Sequence, residues 1–473
     1  MRVSFTCQAV LVLSLCAVQV GCGGGADEAT GPRRITYWEK WTGFEGEAMG
    51  RVVEAFNANQ RDKAAADPSY RPIEVEMVTV ARVDQKLLVA IAGDNPPDVA
   101  GVWVETVYPF ADKGALVDLT DKLAAAGITR DKYIGIYWDM CEHRGRMWAL
   151  PTTPWTTALH WNKRLFREAG LDPDTPPKTI EQLDAWAEKL TRWEVTTDNG
   201  TEVRTGYCPD VPDENKRLIQ VGFLPAVPGW WAYAWGPYFG GTHIDADGRL
   251  SAHSPANVRA YAWVASFTRH LGEKNVQKFI SSAGNFSSPQ NPFMAGKVAM
   301  EVQGVWMYNF IEKYAPGMKW GAAPFPHPAD RPDLARSAVA GGDTIVIPTG
   351  SRHKGEAFAF ITFVNSRRGM EILCGGHRKF LPLKPPADGP DTFLAEHPHP
   401  YIRMFSDLSN SPNAIVMPKT GIWAEYQREM VDACTRIQNL SVTPDEALAE
   451  VQERMSKALE RSERRAERRE RRR

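Results

Sequence analysis

The stretch Ile73-Glu74-Val75-Glu76-Met77-Val78-Thr79 places Ile73, Val75, Met77 and Thr79 two residues apart, the period of a strand with one buried face. Directly after it, Val83, Leu87, Leu88 and Ile91 change to the three-and-four spacing of a helix. Residues 93–97 then form a Gly/Pro turn into a short buried strand over 98–103. Upstream the same order holds: residues 35–38 read as a strand, and Met49, Val52, Val53 and Phe56 as one helical stripe. Strand and helix alternate, which predicts an α/β sheet with parallel pairs.

The texture continues downstream. Residues 158–161 read as a strand. Thr179 with Gln182 forms a capping box, and Ser254-Pro255 starts a further helix with proline in the first turn. Residues 344–347 are a buried strand and 357–364 an apolar helix. Thr443-Pro444-Asp445-Glu446 caps a last helix striped by Leu448, Val451, Met455 and Leu459. Beyond Leu459 only Ala466 is apolar, so the end of the chain is expected to be a solvated helix or to fray. At 473 residues the chain is about three times the usual domain length, so two or more lobes are expected.

Fifty-six basic and fifty-seven acidic residues give a net charge of −1, but the sum hides an asymmetry. Residues 454–473 carry +6 and residues 22–453 carry −8. An acidic body argues against a nucleic-acid binder, and 43% apolar residues argue against disorder. At the start, Arg2 precedes an apolar run over residues 8–21, shorter than the ~20 residues a membrane span needs. It suits a secretory signal peptide, residues 1–21. Gly21 before Cys22 resembles a bacterial lipoprotein cleavage site, making Cys22 the lipidation candidate and residues 22–33 a tether; the protein is expected to be exported, periplasmic or extracytoplasmic, as a lipoprotein or, by ordinary signal cleavage near residue 21, without lipid. Cys141, Cys208, Cys374 and Cys434 then remain, either as up to two disulfides or as buried thiols. No Cys-x-x-Cys is present, so no metal or cofactor is expected.

Several motifs coincide in order and spacing. They are Asn95-Pro96-Pro97-Asp98-Val99; Phe110 through Leu119 (FADKGALVDL); Gly145-Arg146-Met147-Trp148-Ala149-Leu150-Pro151; and Ala158 through Phe166 (ALHWNKRLF). Later come Phe293 through Met300 (FMAGKVAM), Gly304-Val305-Trp306, Gly341-Gly342-Asp343 and Phe380-Leu381-Pro382. From about residue 34 to 455 the series resembles the extracellular solute-binding proteins of carbohydrate ABC importers, the maltodextrin-binding-like family. The resemblance implies an α/β, two-lobed periplasmic-binding-protein-like fold with a hinge and an interlobe cleft. Lobe 1 would hold residues 34–153 and 339–383, lobe 2 residues 154–338 and 384–460, and residues 461–473 a basic tail. It also implies a monomer that captures a mono- or oligosaccharide and hands it to ABC permease subunits, with no catalytic residue.

A sugar offers flat C–H faces and hydroxyl edges, so its site wants aromatic rings and a few charged or amide groups. The chain has sixteen tryptophans. By similarity to the family, the ligand-binding candidates are Trp41, Glu45, Trp103, Glu105, Trp155, Trp230, Trp231, Trp306, Asp343 and Trp423. Trp306 matches the family's sugar-stacking ring, and its loss is expected to cut affinity with little change in apo unfolding. Trp138, Trp148, Trp186, Trp193, Trp263 and Trp320 are read as packing.

Two rival readings stand beside this one. A glycoside hydrolase needs a carboxylate pair across a cleft, yet no Gly-x-Ser-x-Gly, His-Glu-x-x-His or P-loop occurs. His397-Pro398-His399-Pro400 reads as an extended surface loop rather than a metal site. The second rival is a surface-binding protein acting through the basic tail on anionic lipid or cell-wall polymer.

Overall fold

The computed structural model describes residues 31–387 and 389–471. Residues 1–21, Cys22 and most of the tether lie outside the described residues.

The predicted alternation is present. Arg33–Glu39, Ile73–Thr79 and Val99–Trp103 are strands, with helices Gly43–Ala66 and Val83–Ala92 between them. The first strand pairs parallel with the second from Arg33↔Ile73 to Glu39↔Thr79, and parallel with the third at Tyr37↔Val99. Each crossover helix returns the chain to the same end of the sheet, as a parallel pair requires, and the second and third strands flank the first on opposite sides. Ile73 and Val75 face the core, as their spacing implies.

Two strands then depart from the parallel pattern. Leu150–Asn162 runs for 13 residues, well beyond the expected 158–161, and only Trp155 along it is not buried. Ala338–Val346 is buried throughout. A strand covered on both faces carries no two-residue alternation, so periodicity understates its length. These two strands pair antiparallel through Ala340↔Thr156, Gly341↔Trp155 and Gly342↔Pro154, with a register shift between Gly342 and Thr344. Ala338–Val346 also pairs antiparallel with Val99–Trp103, placing Asp343 opposite Trp103. On its other edge Leu150–Asn162 pairs antiparallel with Met300–Gly304, and beyond Ala338–Val346 its last residues, 159–162, pair antiparallel with Trp320–Ala323. One sheet thus runs through the molecule, parallel at one end and antiparallel around the two long strands.

The buried side chains form two large apolar clusters. One gathers Ile35, Val52, Phe56, Leu87, Val99 and Phe360 under the parallel strands. The other gathers Leu159, Trp193, Trp235, Trp263, Leu448 and Met455. Two cores joined by long strands make the two-lobed periplasmic-binding-protein fold. Trp155 and Trp306 pack against both clusters.

Helix starts follow the sequence signals. Thr179 Oγ1 accepts from the Gln182 N–H at 3.2 Å, while Gln182 reaches back to the Lys178 N–H, one residue earlier than a strict box. Ser254 caps Pro255–Leu271 through the Asn257 N–H. Thr443 and Glu446 exchange both bonds of a capping box.

Two expectations change. The last helix continues through the basic run to Glu470 and is only half solvated. Ala466 is buried, and Glu463 meets Arg144 at 2.8 Å, while Arg461, Arg464, Arg465 and Arg468 are exposed. Glu463 and Ala466 are three residues apart and so share the inner face. The His397–Pro400 stretch is a loop, yet His399 is buried among Tyr308, Trp320 and Phe405. Burial lowers its pKa to about 3, so it packs as a neutral aromatic. Cys141, Cys208, Cys374 and Cys434 are all free, buried thiols. No helix among the described residues is long and apolar enough to cross a membrane.

Candidate ligand-binding cleft

Trp41 and Trp103 emerge just past or at the carboxyl ends of two neighbouring parallel strands, where ligands bind in open α/β sheets. Their ring centroids lie 6.1 Å apart at 83°, an edge-to-face arrangement. Glu39, the last residue of the first strand, fixes the loop: its Oε1 accepts from the N–H groups of Lys40 at 2.6 Å and Trp41 at 3.1 Å. Tyr37 donates its hydroxyl to the other Glu39 oxygen.

Beneath these rings lies a charge network that sequence reasoning did not include. Lys40 Nζ sits 3.3 Å from Asp343 Oδ1, and 5.1 and 5.5 Å from the Trp41 and Trp103 centroids. Lys379 Nζ is 3.8 Å from Asp343 Oδ2 and 4.0 Å from Glu45 Oε1. Both lysine side chains are almost inaccessible, at 2% and 3%. Asp343 is equally buried and also accepts from Thr153 Oγ1 on the neighbouring long strand. Burial alone would raise its pKa; Lys40, Lys379 and the Thr153 bond outweigh burial and hold it below the usual carboxylate value. His377 stays neutral, its pKa lowered by burial to about 3.

Glu45 and Glu105 are the half-buried carboxyls of this wall. Burial raises both. Glu45 is partly compensated by Lys379, and Glu105, in the first turn of Val104–Asp112, is pushed up to about 7. Near neutrality Glu105 can donate as an acid or accept as a carboxylate, which suits a hydroxyl partner.

The second wall is built of tryptophan. Trp306 lies 5.6 Å from Trp155 at 74°, 6.2 Å from Trp231 at 29°, and 6.4 Å from Trp230 at 44°. Trp231 is buried and donates its indole N–H to the Val302 carbonyl at 2.8 Å. Trp230 stands outermost, 44% exposed, with its ring on Phe286 at 4.5 Å. Glycines make the wall possible: a Cβ on Gly341 would collide with the Trp155 indole, and one on Gly304 with the Trp306 indole. Each ring lies flat against bare backbone.

Nine of the ten candidates therefore fall into two groups. Trp41, Glu45, Trp103, Glu105 and Asp343 form one; Trp155, Trp230, Trp231 and Trp306 form the other. Within the first, Asp343 offers no accessible surface and holds lysines instead. Trp423 stands apart, fully buried against Tyr233, His243 and Tyr426. Its position after Pro418 pointed to the cleft, but it is the first residue of a helix that turns it into the core. Lys40 and Lys379 were missed because lysine is solvated by default; the adjoining Trp41 and Phe380-Leu381-Pro382 motifs were the only local signals. Among the tryptophans read as packing, Trp148, Trp193, Trp263 and Trp320 are buried, and Trp138 and Trp186 are partly so.

Residues 51–399 match a family model described as bacterial extracellular solute-binding protein. The sn-glycerol-3-phosphate-binding periplasmic protein UgpB of Escherichia coli (strain K12) is 26% identical over 326 residues, 67% of this chain and 66% of that protein, so the match spans about two thirds of this relative. The solved structure of CpMnBP1 with mannobiose bound has 25% identity and a TM-score of 0.71, covering 89% of this chain and 98% of that one. The cyclic alpha-maltosyl-1,6-maltose binding protein of Arthrobacter globiformis shares the fold, with 20% identity, a TM-score of 0.67, and coverage of 91% and 99%.

Two outcomes follow from the geometry. Trp230→Ala should weaken ligand binding about tenfold by calorimetry, roughly 1.4 kcal/mol, and leave apo unfolding nearly unchanged, because the ring is exposed. Trp306→Ala should lower both affinity and apo stability, since its ring packs on three others. The clean separation expected from sequence belongs to Trp230.

Glu105 supplies a pH signature. Its folded pKa of about 7 exceeds the ordinary 4.5, so its contribution to stability falls as pH rises between these values and is flat above. Glu105→Gln, which mimics the neutral acid, should change stability little near pH 4.5. Near pH 8 it should raise stability by about 1–2 kcal/mol, after allowing for partial exposure. Urea melts at both pH values check this.

Proposed function

Because the chain belongs to the bacterial extracellular solute-binding protein family, we propose that it is the carbohydrate-capturing subunit of an ABC importer. The observation that carries this reading is the wall of four tryptophans at the junction of the two apolar clusters, opposite in kind to the carboxyl-bearing Trp41–Trp103 wall. Flat rings meet the C–H faces of a sugar, and Glu45 and Glu105 meet its hydroxyls. In this reading lobe 1 is residues 34–153 and 339–383 and lobe 2 is residues 154–338 and 384–460. The sugar bridges them and favours the closed state.

Charge supports a neutral polyol over a phosphate ester. Lys40 and Lys379 are buried and committed to Asp343, and the half-buried ionisable groups of the wall are the carboxyls Glu45 and Glu105. A phosphate placed there would meet like charge, while Lys40 and Lys379 are inaccessible and already paired. The subunit binds without catalysis, works as a monomer outside the cytoplasm, hands its ligand to permease subunits, and is held at the membrane by lipid on Cys22.

The test is a thermal-shift screen with mannobiose, mannotriose, maltose and glycerophosphocholine, followed by chromatography of the recovered ligand. A sugar should raise the melting temperature, as ligands selective for the native state do, and should be recovered intact. Stabilisation by glycerophosphocholine alone would overturn the carbohydrate assignment, and cleaved sugar would overturn the non-catalytic one.

A further inference from the structure

Asp343 occupies an unusual place in the sheet. Ala338–Val346 pairs with Leu150–Asn162 on one side and with Val99–Trp103 on the other, and its register against Leu150–Asn162 shifts between Gly342 and Thr344. At that irregularity Asp343 alone stands opposite two residues, Thr152 and Thr153, so the extra residue belongs to Leu150–Asn162. Extra residues of this kind re-aim a side chain and interrupt a ladder where a site needs it. Its carboxylate takes Lys40 on one oxygen at 3.3 Å and Lys379 on the other at 3.8 Å, and Thr153 of the opposing strand donates to it.

Lys40 is the link from this strand to the rings. Its ammonium stands 5.1 Å from the Trp41 centroid and 5.5 Å from the Trp103 centroid, within cation–π range of both. Asp343 is at the same time the direct ladder partner of Trp103. Strand irregularity, carboxylate, ammonium and ring pair are therefore contiguous. A lysine this buried has no solvent to hold it, so its position is set by the carboxylates that neutralise it, Asp343 at 3.3 Å and, farther off, Glu39 at 3.9 Å.

We infer that Asp343 is a positioning residue of the cleft: through Lys40 it fixes the orientation of the Trp41 and Trp103 rings from the long strand that joins the two lobes. It does not touch ligand. The consequence for binding rests on the carbohydrate reading given above, whereas the consequence for the rings does not. Because Thr153 and Asp343 lie on the two long antiparallel strands, a change in their relative placement moves the carboxylate, and with it the ammonium between the rings.

The experiment uses the full mature chain carrying 5-fluorotryptophan. The fluorine resonances of Trp41, Trp103 and the distant Trp193 are assigned by Trp→Phe substitution. Asp343→Asn should shift and broaden the Trp41 and Trp103 resonances of the apo protein and leave that of Trp193 in place. Lys40→Met should do the same, and Asp343→Glu should restore part of the change. If Asp343→Asn does not fold, Lys40→Met and the charge-free Lys40→Met/Asp343→Leu pair carry the test. Unmoved Trp41 and Trp103 resonances in any folded variant overturn the inference. Mannobiose titration forms the second arm: Asp343→Asn should weaken binding at least tenfold, with partial recovery in Asp343→Glu. Wild-type protein that binds no sugar would sink the ligand class, and the ring resonances would still decide the role of Asp343.

Discussion

The contact on which the rest of the cleft depends is Trp155 lying on the bare backbone of Gly341. The two residues are ladder partners on the long antiparallel strands, and a side chain on Gly341 would occupy the space of the indole. Trp155 in turn supports Trp306 and Trp231, and packs against both apolar clusters. Two residues further along the same strands, Thr153 and Asp343 carry the charge network under the other wall. One short stretch of strand pairing thus sets both ring walls.

That arrangement explains why the ring groups differ in chemistry. The tryptophan wall is held by apolar contact and one indole hydrogen bond, which need no charge. The Trp41–Trp103 wall is held by buried ions, which are costly to desolvate and stay in place only because each is paired. Apolar contact tolerates small shifts, whereas buried ion pairs demand one geometry.

The α/β alternation was legible where a strand has one exposed face or a helix one stripe: residues 73–79 and 83–91 read correctly from spacing alone. It failed for Leu150–Asn162, buried almost throughout, where no period exists to read. The family motifs located Trp155, Trp230, Trp231 and Trp306, which the fold brings together although residues 155 and 306 are far apart in sequence. They could not separate Trp423, buried by the helix it begins, from a cleft residue. Nor could sequence place Lys40 and Lys379 indoors, since their burial depends on carboxylates that the fold brings to them, Asp343 for both and Glu45 for Lys379. Ala466 shows the reverse case: one alanine in an arginine-rich run was the only trace of a packed inner face.

A ligand that contacts both walls shifts the balance between open and closed forms only by the difference in its affinity for the two. The most direct measurement of that claim is small-angle X-ray scattering of the mature protein, free and saturated with the sugar it binds. Hinge closure predicts a smaller radius of gyration and a shorter maximum dimension in the saturated protein, with unchanged mass. Identical scattering at proven saturation would contradict capture by closure.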